Sequence, residues 1–228
     1  WNWVVENQRG NVQLRNASDD ISLLAVQGRH APAVIQKLTK TDLSKIKYYG
    51  FEEGEVAGAK AIISRTGYTG EDGFEIYHAN ADARRVWDAL FEAGKEFDIE
   101  PIGLAARDSL RLEMKMCLYG HDIDETTHPL EAGLGWITKL NKGDFIGRPK
   151  LLEVKERGVR RKLVGLEVEG EGFPRHGYPI LTSNGTSDVI GTVTSGTVSP
   201  VLNKGIAMGY VPTDLSSVGS EVRLDMRG

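Results

Sequence analysis

From Arg65 to Tyr77 the chain reads Arg-Thr-Gly-Tyr-Thr-Gly-Glu-Asp-Gly-Phe-Glu-Ile-Tyr, a glycine-punctuated loop running straight into an alternating strand pattern. Glycine lowers the cost of tight backbone turns around Tyr68. The alternation sends Phe74 and Ile76 to one face of a strand and Glu75 and Tyr77 to the other. Few other stretches constrain the fold as strongly, because this one demands a buried apolar layer beneath a strand that carries a carboxylate on its far side. A carboxylate fixed on a rigid strand, as Glu75 would be, can accept two hydrogen bonds at once. The plainer alternative is a glutamate on the solvent face of an edge strand. Tyr68 also has two readings, an aromatic laid along a flat ligand or a plug over its own loop.

The rest of the chain supplies the setting. In 228 residues, 40% hydrophobic and 26% charged, there is enough apolar material for a sizeable core plus a smaller satellite domain. A formal net charge of −4 gives no bulk attraction to nucleic acid or anionic lipid. No apolar run reaches the length of a bilayer span, so neither nucleic acid nor membrane is expected as a partner. The single cysteine, Cys117, precludes an internal disulfide, and its neighbours Met114 and Met116 mark it as a core thiol rather than an activated one.

Local patterns predict the elements. Ile21 to Gly28 reads as a buried strand stopped by glycine, and Pro32 opens a short helix with Val34, Ile35 and Leu38 inward. Strands are expected over 51–56, 59–64 and 74–78. A helix capped by Asn80 or Asp82 carries Val86, Leu90, Ala93 and Phe97 at helical spacing. A second runs from Gly103 to Glu113 and gathers Leu104, Arg107, Arg111 and Met114 near one face, which would set Arg107 beside apolar surface. Lys150 to Arg157 reads as a connector helix ended by Gly158. From Gly158 onward lie 12 of the 27 glycines, among apolar runs at 163–168, 189–193 and 206–211 and the turn signal Asn184-Gly185, so an antiparallel β-barrel or sandwich should follow. The expected fold class is α+β, with a mixed core of βα units over 1–157 and a C-terminal antiparallel β-barrel over 158–228.

Four ordered blocks carry a family resemblance. They are Arg65 to Tyr77, Gly103 to Glu113, Pro129 to Trp136 (Pro-Leu-Glu-Ala-Gly-Leu-Gly-Trp) and Lys142 to Arg148 (Lys-Gly-Asp-Phe-Ile-Gly-Arg). Together they resemble the aminomethyltransferases of the glycine cleavage system, the T-protein family, over nearly the whole chain. The resemblance implies a folate-binding core, with tetrahydrofolate as co-substrate. It also implies a lipoylated carrier, the H-protein, as partner, and a cytoplasmic location, or the mitochondrial matrix in a eukaryote. It places Glu75 on the pterin and adds Arg107 and Tyr68 to the folate cavity, with Trp136 near the substrate channel. For Arg107 the alternative is a helix salt bridge, and for Trp136 a place in the core. The family's charge-tuning aspartate is expected upstream of Trp1, so no catalytic residue is assigned here and Asp19, Asp20, Asp72 and Asp108 do not replace it. A chain starting at Trp1 is accordingly expected to have weak or no turnover.

Other chemistries find less support. His121, Asp122, Asp124 and His128 match no regular zinc spacing and read as a solvated acidic loop, so no metal is expected. There is no phosphate-cradling or dinucleotide-binding glycine motif. Folate-dependent demethylases and the folate domains of sarcosine or dimethylglycine oxidases would share the fold and the pterin glutamate, and a non-catalytic folate-binding module is a further alternative. Iron–sulfur maintenance relatives carry a cysteine where this chain has Asp144, and Gln-Glu where it has Arg148-Pro149, which argues against that branch.

Overall fold

The computed structural model describes residues 1–186 and 188–226, so residue 187 and the last two residues of the expected 158–228 domain lie outside the described residues. The chain divides into two compact units, Trp1–Ile102 and Gly103–Gly228.

In the first unit a short exposed helix, α1 (Asn2–Glu6), precedes β1 (Ile21–Gln27), α2 (Ala31–Gln36), β2 (Phe51–Val56), β3 (Ala59–Ser64), β4 (Gly73–Ala79) and α3 (Ala83–Gly94). The strands form one antiparallel sheet in the order β1-β4-β3-β2. Strand β4 is thus internal, and Glu75 is paired with Ala25 on one side and Ser64 on the other, so the edge-strand alternative does not apply. One sheet face meets both helices through Val26, Ile63, Phe74 and Ile76 against Val34, Ile35, Val86 and Leu90, the residues that the sequence periodicity marks as inward. The expected cap of α3 is not made. Asp82 already has helical dihedrals, at the end of a 3-10 turn over Asn80–Asp82, so its carboxylate turns to Arg85 at 2.5 Å instead of reaching back-bone N–H groups ahead. Asn80 works sideways, accepting from the Ser22 hydroxyl at 2.7 Å.

The second unit holds α4 (Leu104–Glu113), α5 (Arg148–Arg157), β5 (Arg161–Glu167), β6 (Pro179–Thr182), β7 (Val189–Ser199), β8 (Lys204–Pro212) and β9 (Val222–Leu224). Helix α5 has proline in its first turn and stops at Gly158, whose φ of 81° suits glycine. The strands form an antiparallel sheet, ordered β5-β8-β7-β6-β9, that curls into a half-barrel.

One expectation fails beside α4, and the inward face of the helix has the same cause. Leu104 and Met114 are not on a buried face, being 84% and 53% exposed, whereas Arg111 is 1% exposed. Asp122, expected in a solvated loop, is also 1% exposed. The Arg111 guanidinium donates to Asp122 Oδ2 at 2.7 Å and to Ser195 Oγ at 2.8 Å. The same carboxylate accepts from Leu118 N at 2.9 Å, Ser195 Oγ at 3.0 Å and Thr194 Oγ1 at 2.5 Å, while Tyr210 donates to the Asp122 carbonyl at 2.8 Å. A bulge in β7 between Val193 and Ser195 lets two consecutive hydroxyls reach one acceptor. The inward face of α4 is therefore set by a saturated polar cluster, with Leu112 beside it. Cys117 is half-buried against Leu112, Leu163 and Met208, and burial pushes its thiol pKa up, as expected of an unactivated cysteine.

Candidate functional site

The loop that leaves β3 and returns as β4 is closed at its base by Arg65 and Asp72. Arg65 Nε and Nη2 donate to the two oxygens of Asp72 at 3.0 and 2.6 Å, and Nη1 donates to the Ile46 carbonyl at 3.1 Å. That two-bond pairing holds the Asp72 carboxyl below its ordinary range, against the opposing effect of its partial burial. The guanidinium also lies 5.6 Å from the centre of the Phe74 ring, which fixes the loop base over the core.

Inside the loop the filler is Gln27, at the end of β1. Its Nε2 donates to the carbonyls of Thr66 at 3.1 Å and Phe74 at 3.3 Å, and its Oε1 accepts from the Thr69 hydroxyl at 3.3 Å. Gly70, with φ of 82°, turns the chain as glycines do. Gly67 and Gly73 have a different reason. Neither has positive φ, but an added Cβ would come within 1.9 Å of Gln27 Oε1 at Gly67 and 2.7 Å of Gln27 Cδ at Gly73.

Glu75 emerges half-buried beside this loop. Its Oε2 accepts from Thr66 Oγ1 at 2.5 Å and from the Tyr77 hydroxyl at 3.1 Å. Both bonds fall on one oxygen, which leaves Oε1 with its accepting capacity open among the described residues. Burial, followed by the nearby carboxylate, pushes the Tyr77 hydroxyl pKa up, so it stays a donor over the neutral range. Tyr68 is half-buried in the same loop, between Gly67 and Gly70. Two of the four candidate residues therefore share one loop-and-strand segment of the first unit.

The other two belong to the second unit. Arg107 is exposed on the first turn of α4, one helical turn before the buried Arg111. Trp136 is 61% exposed, so it is no core tryptophan. It sits in a tight series of turns in which Leu134 N donates to the Pro129 carbonyl at 2.7 Å and Ile137 N to the Leu134 carbonyl at 3.3 Å. The series is anchored by Glu131, which is 7% exposed and exchanges hydrogen bonds with His128, each backbone N–H meeting the other's side chain at 3.2 Å. Arg161 adds a two-bond contact to the Glu131 carboxylate at 2.9 and 3.3 Å.

The sequence reading missed Gln27, Thr66, Glu131 and Arg161. A usable signal existed for Glu131, whose three-residue spacing from His128 is that of a reciprocal cap. Glycines at Gly67 and Gly73 were equally a sign that some side chain needs their space. Among the described residues no three histidine, cysteine or acidic side chains stand close enough to hold a metal ion, and no helix is long and apolar enough to cross a membrane.

The chain is similar to known proteins over its whole length. Residues 1–142 match the family model described as the GCVT N-terminal domain, and 161–228 match the glycine cleavage T-protein C-terminal barrel domain. An aminomethyltransferase of Bacteroides fragilis is 54% identical over all of this chain, and one from Flavobacterium psychrophilum is 53% identical. The chain spans 63% and 62% of their respective lengths. The crystal structure of the glycine cleavage system aminomethyltransferase T from Bartonella henselae superposes with a TM-score of 0.81 at 36% identity, covering 91% of this chain and 56% of that one.

Proposed function

Because the chain belongs to the glycine cleavage T-protein family, we propose that it is part of a tetrahydrofolate-dependent aminomethyltransferase. The reaction moves the methylene of an aminomethyl group, carried on the lipoyl sulfur of the H-protein, to tetrahydrofolate with release of ammonia. The folate supplies the nitrogen nucleophile; the protein's share is to bind, orient and exclude water. The observation that carries this reading is the carboxylate of Glu75, held on an internal strand with both hydroxyl donors on Oε2. A pterin offers a ring N–H beside an exocyclic amine, and a fixed carboxylate with accepting capacity to spare suits such a pair. Tyr68 would lie along the aromatic system. Arg107 would donate to a folate carbonyl or carboxylate, and Trp136 would line the approach of the lipoyl arm.

The two matched family models support a division near residue 158, giving a folate-binding core over 1–157 and a barrel domain over 158–228. Bacterial relatives of this kind support a cytoplasmic location. The test is calorimetry with 5-methyltetrahydrofolate on the chain and its Glu75→Ala variant. Loss of a hydrogen bond to a charged group, about 1.5–3 kcal/mol, should weaken binding about 10- to 150-fold. An unchanged dissociation constant in a variant of native circular dichroism removes Glu75 from the site.

A further inference from the structure

Gln27 ends the strand next to the one that carries Glu75, and its side chain turns into the 65–73 loop. Its three hydrogen-bond partners are distributed so that one amide grips the chain at Thr66, before Tyr68, at Thr69, after it, and at Phe74, immediately before Glu75. The strand end is stitched to the same place by the backbone, Gly28 N donating to the Asp72 carbonyl at 2.8 Å. Gly67 and Gly73 make room for this amide, as the distances of 1.9 and 2.7 Å from their missing Cβ positions show. A side chain that merely filled a gap would not need both of its polar ends matched to specific groups of one loop.

We infer that Gln27 is a positioning residue for the ligand-binding wall, an internal template that sets the path of the chain around Tyr68 and the height at which Thr66 meets Glu75. This rests on the reading of Tyr68 and Glu75 as folate contacts. Thr66 matters in the chain of effects because its hydroxyl occupies Glu75 Oε2 at 2.5 Å and its carbonyl is held by Gln27 at 3.1 Å. If the template is lost, Thr66 is free to leave the carboxylate, Glu75 keeps only the Tyr77 hydroxyl on Oε2, and the side chain gains orientations. A ligand must then order it on binding, which costs affinity.

The experiment uses the whole chain with Gln27→Leu, which keeps the bulk and removes all three hydrogen bonds, and Gln27→Glu, which keeps the acceptor for Thr69 and removes both donors. Hydrogen exchange of the 66–73 amides is measured without ligand, and affinity for 5-methyltetrahydrofolate is measured in the parent and in a Glu75→Gln background. Expected are faster exchange confined to the loop and about tenfold weaker binding, the effect of losing one to two net hydrogen bonds. In the Glu75→Gln background the affinity loss should shrink to about threefold or less, because coupled residues do not contribute additively. Unchanged loop exchange in both variants overturns the inference, as does a loosened loop with unaltered affinity. An equal affinity loss in both backgrounds also overturns it, by showing an effect that does not pass through Glu75. Absence of folate binding by the parent chain would instead take down the site reading itself, and the positioning role with it.

Discussion

Glu75 in the first unit and Asp122 in the second are both carboxylates met by neighbouring hydroxyls, yet their surroundings divide the labour of the molecule between them. Asp122 spends both oxygens on four donors, among them a guanidinium, and has no exposed side-chain surface. Glu75 receives two donors on a single oxygen and stays half-buried. A saturated acid can only hold its own fold together. An acid braced on one oxygen, with the other unpartnered among the described residues, is suited to holding something else. The difference is one of hydrogen-bond completion.

The comparison is most vulnerable at Asp122. Asp122→Ala leaves the buried Arg111 guanidinium without its principal partner and should cost about 3 kcal/mol, the lower end for breaking a buried pair because Asp108 still contacts the arginine at 2.7 Å. Urea unfolding followed by circular dichroism measures this. Glu75→Ala, by contrast, should change stability by less than about 1 kcal/mol while abolishing much of the folate affinity. Equal stability losses from the two substitutions would break the contrast.

A smaller effect sharpens it on the alkaline side. Burial, the leading cause, pushes the pKa of Tyr210 up to about 12 from an ordinary value of 10.0. The folded pKa is raised, so the associated stability is complete below pH 10 and is lost as pH climbs toward 12. A decline of stability across that window, flattened in Tyr210→Phe, is the expected result. The smallest effect is on the acid side of the first unit. Arg65 depresses the Asp72 carboxyl from its ordinary 3.8, so its contribution is present above that value and fades as pH falls below it. The pair is partly solvated, with side-chain exposures of 26% and 36%, and about 1 kcal/mol or less is at stake. Asp72→Asn should reduce the acid sensitivity of the first unit's unfolding; an unaltered profile would show that the pairing is idle.

How far the sequence could be read follows from the range of the interactions involved. Strand β4, α3, α5 and the three apolar runs of the half-barrel were legible because each obeys a local period or stops at a glycine, and Glu75 was legible because its strand alternates. The buried cluster was not. Asp122 meets Thr194 and Ser195 more than seventy residues away, and His121-Asp122-Ile123-Asp124 reads locally as a polar loop. Arg111 was drawn toward the apolar face of α4 by spacing alone, without its partners in view. Gln27 was missed for a related reason: its partners lie 39 to 47 residues ahead, and only the glycines opposite it hint at its presence.

The bulge in β7 makes the residue count of that strand a heritable constraint in its own right. Val193 pairs with Gly209 and Ser195 with Met208, so deleting Thr194 would leave the later pairs in register and remove only the bulge and the hydroxyl contact to Asp122, whereas a deletion beyond Ser195 would turn the rest of the strand over. A deletion between Ser195 and Ser199 would carry Ser199, whose hydroxyl meets the Glu113 carboxylate at the far end of α4, to the opposite face. Length variation among descendants of this chain should therefore collect in the turns between strands, while the span from Val193 to Ser199 keeps its number of residues even where its letters drift.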